Sequence, residues 1–173
     1  LINGNPIAEV DFNANHLRMF LAFNQRNVIG EHDAYEALVH ESGADRNKVK
    51  SFINIGLNNE SFETTQAAVL RNEPRITHAE SNQINKAFNN LYPDLNLHCG
   101  FALTAMQLEG LILKKVLIAG DRKGILALPV HDAVAVEFDH QNWAKDAMED
   151  AWKSVMSEFY PLASAAVRIS FSS

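Results

Sequence analysis

The spacing of apolar residues changes along the chain, and the changes predict strands near both chain ends with helices between them. Leu1–Pro6 and Ile7–Phe12 read as two short strands around the Asn3-Gly4 turn, because Asn-Gly beside apolar runs is a strong signal for a short hairpin. Asp11 then ends a strand.

The middle of the chain is predicted to be mostly helical. Apolar residues recur at helical spacing from Ala14 to Gln25 and from His32 to Glu41, and Ser42-Gly43 punctuates the second run. Three further helices are predicted from residues suited to capping. They run from Asp45 to about Asn58, from Ser61 to about Asn72, and from the capping box Thr77–Glu80 to about Leu91.

The pattern changes again in the last third. The long apolar-rich stretch from His98 to Ile118 predicts a largely buried helix, and Gly120–Gly124 predicts a turn. Ile125–Val130 and Ala133–Phe138 are apolar or β-branched runs on either side of His131-Asp132. They predict an antiparallel hairpin with the His-Asp pair at its tip.

The chain closes with an amphipathic helix from Gln141 to Tyr160 and an alternating strand from Val167 to Phe171. The predicted fold is therefore α+β. A small antiparallel sheet from both chain ends packs with helices, and a helical insertion lies between its strands.

Composition bounds this interpretation. A chain of 173 residues fits one domain, and no window approaches the roughly 18 apolar residues of a membrane span. The single cysteine, Cys99, excludes an intrachain disulfide and suits a reducing cytoplasm. The opening at Leu1 lacks a signal segment, so we expect the natural protein to be longer.

The net charge of −6 argues weakly against binding nucleic acid. Cations nevertheless gather at Arg46, Lys48 and Lys50, so the chain could be locally basic.

Asp11 and Asp132 each lie at the end of a predicted strand, and a shared sheet could bring them together. Two carboxylates can hold a pair of Mg²⁺ ions for phosphoryl transfer. The simpler alternative is that Asp11 caps the next helix and Asp132 is a turn residue.

One predicted helix carries a basic and polar face. Arg46, Lys50, Asn54 and Asn58 follow each other at steps of four. Cations near a helix N-terminus suit a triphosphate, because arginine offers a planar fork and lysine a point charge. The alternative is an ordinary solvated helix face.

Three segments, in this order, resemble the motifs of the DNA polymerase I family (family A). Asp11–Arg18, a strand-end aspartate that runs into a helix, resembles motif A. Arg46–Ile53 resembles motif B, the fingers helix, and Val130-His131-Asp132 resembles motif C. The abbreviated pattern is similar to that of some phage and mobile-element polymerases.

The resemblance implies a role for each matching residue. Asp11, Asp132 and Lys50 are expected to be catalytic, and Asp11, Asp132 and Phe12 are expected to bind two Mg²⁺ ions, with Mn²⁺ as an alternative. The remaining expected contacts are His16, Arg46, Lys50 and Asn54 for the nucleotide and Arg18, Gln107 and His131 for DNA.

The resemblance also implies an architecture and partners. Residues 1–173 would form a polymerase palm, with 31–91 as a reduced fingers-like insertion. The substrates would be primer-template DNA and deoxynucleoside triphosphates, and an upstream domain or replication partner would supply thumb-like grip. The location would be the cytoplasm of a bacterial or phage-infected cell, without a membrane partner.

Three positions depart from the family. His16 replaces the usual glutamate of motif A, Asn54 replaces the usual aromatic residue of motif B, and Ala133 replaces a second acid after motif C. These changes bring sugar discrimination into question and leave two carboxylates at the site.

Two other functions compete with polymerase activity. The chain could be a catalytically inactive, polymerase-like module that binds nucleic acid. His32-Asp33 and His131-Asp132 also suggest an HD-type metal phosphohydrolase, but that class needs its ligands on helices, and His131-Asp132 lies between strand-like runs.

Overall fold

The computed structural model describes residues 1–24, 26, 33–73, 75–159 and, as backbone only, 169–172. The chain divides into two compact units. The sheet unit comprises Leu1–His32 and Met106–Ser173, and the helical unit comprises Asp33–Ala105.

The described residues form four strands and seven α-helices. The strands are β1 (Ile7–Phe12), β2 (Leu128–Val130), β3 (Ala133–Glu137) and β4 (Ile169–Ser172). The helices are α1 (Asn15–Phe23), α2 (Glu36–Ser42), α3 (Arg46–Asn58), α4 (Phe62–Asn72), α5 (His78–Leu91), α6 (Ala102–Lys123) and α7 (Gln141–Phe159).

The sheet is antiparallel throughout, in the order β2-β3-β1-β4. Alternate residues of β1 are buried, and Val10 and its partner Val134 are fully buried. Helix α7 contacts β1, β3 and β4, and its Trp152 is fully buried and donates a hydrogen bond to Asn15 Oδ1 at 3.2 Å. The core of this unit therefore lies between α7 and the sheet.

Strand β2 forms one outer edge of the sheet, and its three residues Leu128, Pro129 and Val130 are all exposed. The two-residue turn His131-Asp132 joins it to β3, because Val130 pairs with Ala133. The sequence-predicted hairpin with the His-Asp pair at its tip is confirmed.

Side-chain caps define the helices of the helical unit. Asp45 accepts a hydrogen bond from Asn47 N at the start of α3, and Ser61 accepts one from Thr64 N at the start of α4. Thr77 and Glu80 form the predicted capping box at the start of α5. Each cap satisfies backbone N–H groups that have no partner inside the helix.

A buried histidine ties this unit together. His98 Nδ1 lies 2.9 Å from Thr65 Oγ1 on α4, and its Nε2 lies 3.0 Å from Asn85 Oδ1 on α5. Its ring also meets Phe52 of α3 edge-on, with 6.4 Å between ring centroids. Burial lowers the pKa of His98, and the charge of Glu63 and a hydrogen bond with the backbone of Gly56 oppose that shift.

Three expectations about local structure were wrong. The first segment forms a single bridge, Ile2 to Asn5, in place of a strand. Helix α6 continues through the predicted turn and ends at Lys123, so only Gly124 takes a left-handed turn conformation. Helix α6 is also not largely buried, because apolar residues on one of its faces are exposed, including Leu103, Met106, Leu111 and Ile118.

The α+β class and the small antiparallel sheet packed with helices agree with the sequence prediction. The helical unit overlaps the predicted 31–91 insertion and extends to Ala105. His32, Gln25, Tyr160 and Val167, which bounded predicted elements, lie outside the described residues. None of the helices in the described ranges has both the length and the apolar character needed to cross a membrane.

Candidate functional site

Asp11 and Asp132 lie at the same end of the sheet. Asp11, the fifth residue of β1, pairs with Ala133, and Asp132 directly precedes Ala133. Paired residues in an antiparallel ladder have Cα atoms about 4.5–5.5 Å apart, so the Cα atoms of the two aspartates lie within roughly 10 Å of each other. Both residues are partly exposed, although Oδ1 of Asp11 is buried. The sequence could only suggest that these two aspartates lie near each other, and the strand pairing places them at one end of the sheet.

The backbone is unusual beside both aspartates. Ala14, three residues after Asp11, has φ 55°, and His131, directly before Asp132, has φ 54°. Residues other than glycine adopt this left-handed conformation infrequently, and such strain concentrates at functional sites. Of the three residues other than glycine with positive φ in the described part of the chain, two therefore lie at this end of the sheet, and the third is Asn3.

The donor set at this end of the sheet fits Mg²⁺. That ion is commonly held by one or two carboxylates and completes its coordination with substrate phosphates and water. Among the described residues, no group of three or more His, Cys, Asp or Glu side chains is arranged to hold a metal. An ion held by Asp11 and Asp132 would need further oxygen ligands, and Phe12 could offer only its backbone carbonyl, because an aromatic ring has no oxygen donor.

His16 has a partner that sequence reasoning missed. Its Nε2 lies 2.9 Å from Oε2 of Glu109 on α6, and the two side chains are 28% and 15% exposed. Sequence alone gave no signal for this pair, because 93 positions separate the residues. The pair places the carboxylate of Glu109 beside the first turn of α1. That turn follows Asp11 closely in the sequence.

The three predicted DNA contacts differ in exposure. Gln107 on α6 and His131 in the turn are exposed. Arg18 is fully buried, and its Nε donates a hydrogen bond to the backbone oxygen of Asn13 at 3.0 Å. The prediction that Arg18 contacts DNA does not fit this position, because the side chain stabilises the turn between β1 and α1.

The predicted nucleotide face of α3 is built around Arg46. The guanidinium donates from Nε to Oδ2 of Asp33 and lies over the ring of Tyr35, with Cζ 5.5 Å from the ring centroid. The Tyr35 hydroxyl donates to Oδ1 of Asn54 at 3.3 Å. We call Asp33, Tyr35, Arg46 and Asn54 the Arg46 cluster. The hydrogen bond with Asp33 raises the pKa of Arg46.

The other two cations of α3 differ from each other. Lys48 donates from Nζ to Oε1 of Glu80 at 2.8 Å, and this hydrogen bond is the largest cause that lowers the pKa of Glu80 to about 2. Lys50 is exposed and makes no ion pair with the described residues. The basic face is thus partly neutralised within the chain.

An open groove with a volume of about 540 Å³ lies between α6 and α7 in the sheet unit. Its lining includes Lys115, Trp143 and Asp150, and Lys115 Nζ donates to Ser154 Oγ at 3.1 Å. None of the sequence-predicted site residues lines it.

The predicted site residues thus occur in both units, with Asp11 and Asp132 in the sheet unit and Arg46 and Lys50 in the helical unit. Comparison of the sequence with protein-family models and with curated proteins found no match. The assignment of a function therefore depends on the site itself.

Proposed function

We propose that this chain is the catalytic part of a template-directed DNA polymerase resembling family A, with a palm-like sheet unit and a reduced fingers-like helical unit. The observation that supports this most directly is the pairing of Asp11 with Ala133, beside Asp132. Nucleotidyl transfer assisted by metal ions needs carboxylates close together in space, and an antiparallel sheet is a rigid way to hold them.

The role of Asp11 and Asp132 is to concentrate negative charge at one end of the sheet. Bound Mg²⁺ ions would supply the electrostatic stabilisation that the transferring phosphoryl group needs. The strand ends hold the carboxylates on a rigid frame, so little reorganisation is required when substrates bind. The exposed imidazole of His131 is suited to donate a hydrogen bond to the primer end.

The role of α3 is to bind the triphosphate. Arg46 offers a planar fork, and the exposed Lys50 one helical turn later offers a point charge. Because an ammonium group can also donate a proton, Lys50 is suited to protonate the departing pyrophosphate. Asn54 is held by Tyr35 and contributes a polar group on the same helix.

His16 and Gln107 have supporting roles in this proposal. The pairing of His16 with Glu109 orders the imidazole, so His16 would meet the nucleotide in a fixed orientation. Gln107 is exposed on α6 and would contact DNA there. Thumb-like grip on primer-template DNA would come from an upstream domain or a replication partner, in the cytoplasm of a bacterial or phage-infected cell.

Primer extension tests the proposal. A primed DNA template is mixed with Mg²⁺ and deoxynucleoside triphosphates, and wild type is compared with Asp132→Asn. We expect extension to fall by at least about 100-fold, because loss of a direct ligand should cost no less than loss of a supporting group around a metal. The melting temperature should not fall, because Asp132 is a partly exposed turn residue.

Asp139→Asn is the matched control. Asp139 is exposed, follows β3 at the opposite end of that strand, and undergoes the same chemical change. Extension should be retained in this variant. Full activity in Asp132→Asn would exclude the carboxylate assignment, whereas primer-template binding without extension by wild type would favour an inactive nucleic-acid-binding module.

A further inference from the structure

Asp33 holds Arg46 in a way that the proposed reaction does not require. Its Oδ2 accepts from Arg46 Nε, and its Oδ1 accepts from the backbone N–H of Tyr35 at 3.2 Å. The carboxylate is therefore fixed at the start of the helical unit through its own local turn, independently of Arg46.

A carboxylate and a phosphate are equivalent partners for arginine. Both offer acceptor oxygens with a negative charge in the geometry that the guanidinium fork matches. An anion that approaches Arg46 therefore meets a cation that is already neutralised, and it also meets the repulsion of the Asp33 charge. Binding must weaken or replace the contact between Arg46 and Asp33.

We propose that Asp33 sets the affinity of Arg46 for the triphosphate group of a nucleotide by competing with that group for the guanidinium. The proposal rests on the nucleotide-binding role proposed above for Arg46. Asp33 is thus an affinity-determining residue that holds Arg46 in a neutralised state until a more highly charged ligand arrives.

The exposure of the ion pair and the ring beneath Arg46 would allow a ligand to replace Asp33 as the partner of Arg46. The Arg46 side chain is 41% exposed and that of Asp33 is 20% exposed, so solvent screens the pair and a ligand can reach it. The Tyr35 ring lies under the guanidinium and is itself buried, with its hydroxyl bound to Asn54. This platform would keep Arg46 in place through its cation–π contact when Asp33 is displaced.

Titration calorimetry of the whole chain with inorganic tripolyphosphate tests the proposal. We expect Asp33→Asn to bind the probe roughly fivefold more tightly than wild type, which is the upper end of what an exposed ion pair is worth. Asparagine keeps the oxygen that accepts from Tyr35 N, so the local turn is retained. The gain should disappear when Arg46→Gln is combined with Asp33→Asn and compared with Arg46→Gln alone.

Glu80→Gln is the matched control. It removes the same charge, frees Lys48 on the same helix, and keeps an acceptor for the capping box with Thr77. Its affinity for tripolyphosphate should stay within about twofold of wild type, because Lys48 lies two positions after Arg46 and residues two apart on a helix do not face each other.

Four outcomes would overturn the proposal. These are unchanged or weaker binding by Asp33→Asn, an equal gain in Glu80→Gln, a gain that persists without Arg46, and no binding by either wild type or Asp33→Asn. Primer extension separates this inference from the polymerase proposal. Primer extension without an affinity gain in Asp33→Asn would support the polymerase proposal and exclude the role of Asp33. An affinity gain without primer extension would support the role of Asp33 and count against the polymerase proposal.

Discussion

His131 holds a backbone conformation that is costly for a residue with a Cβ atom. It is the first of two turn residues between β2 and β3, and its φ is 54°. Turns of this length favour glycine where φ is positive, and other residues pay about 1–2 kcal/mol there. We therefore predict that the side chain of His131 has a function that outweighs this cost.

Replacing His131 should lower activity without lowering the stability of the fold. We expect His131→Gly to be as stable as wild type or up to about 1 kcal/mol more stable, because relief of strain outweighs the added freedom of the unfolded chain. Primer extension should fall about tenfold if the imidazole bonds to the primer end. Thermal unfolding and extension rates measure the two effects.

His131→Ala is the control for this prediction, since it removes the imidazole and keeps the strained Cβ. It should lose the same activity without gaining stability. Full extension in both variants would remove His131 from the site, and a lower melting temperature for the glycine variant would show that the turn is not strained.

At the scale of elements, α6 shows how packing can override a local signal. Gly120 was interpreted as part of a turn, yet it lies inside the helix. A Cβ atom at this position would lie 2.8 Å from the backbone oxygen of Ile125 and 3.1 Å from the Trp143 ring. The glycine is therefore needed for close approach of the following chain and does not end the helix.

Two alanine substitutions in α6 should have opposite effects. Gly120→Ala should destabilise the protein by about 1–3 kcal/mol, because the backbone of Ile125 cannot move away easily. Gly110→Ala should stabilise it by up to about 1 kcal/mol, because open space surrounds that position and alanine favours helix. Denaturant unfolding measures both, and equal changes would contradict the packing argument.

The helix starts were predictable because capping is local. Asp45, Ser61 and the Thr77–Glu80 box each act within four residues, so the sequence contains the whole interaction. The start of the chain was harder, because the Asn3-Gly4 turn closes only one bridge. Side chains from elsewhere hold that segment, since Asn3 and Asn5 both donate to Glu137.

At the scale of the whole molecule, the types of site residue could be predicted but their partners could not. The strand-like runs at β1 and β3 made their pairing plausible, and the ladder then placed Asp11 beside Asp132. The pairs of His16 with Glu109 and of Arg46 with Asp33 depend on how distant segments pack. The position of Arg18 was unpredictable for the same reason, because only packing shows that it is buried.

The stability of the chain should depend on pH through His98. Its pKa is lowered from the ordinary 6.5, chiefly by burial, so the folded state favours the neutral ring and the unfolded chain binds more protons. Stability is therefore expected to be fully present above about pH 6.5 and to fall as the pH drops towards the lowered pKa. The melting temperature should decrease between about pH 7.5 and about pH 5.

Two glutamine variants check this assignment. His98→Gln should lower the melting temperature at neutral pH and flatten its pH dependence, because no proton can bind at that position. His40→Gln, at an exposed position of α2, should leave the pH dependence unchanged. An unchanged slope in His98→Gln would assign the pH dependence to other groups.

The edge strand β2 has a consequence for behaviour in concentrated solution. An outer strand with exposed Leu128 and Val130 is a surface to which a strand from another copy could add, and repeated addition leads to fibrils. Pro129 has no N–H to donate, and its nitrogen faces outwards because Val130 and Ala133 close the turn as the hydrogen-bonded pair. The middle of the edge therefore lacks a donor that an intermolecular ladder would need, which favours colloidal stability at high concentration.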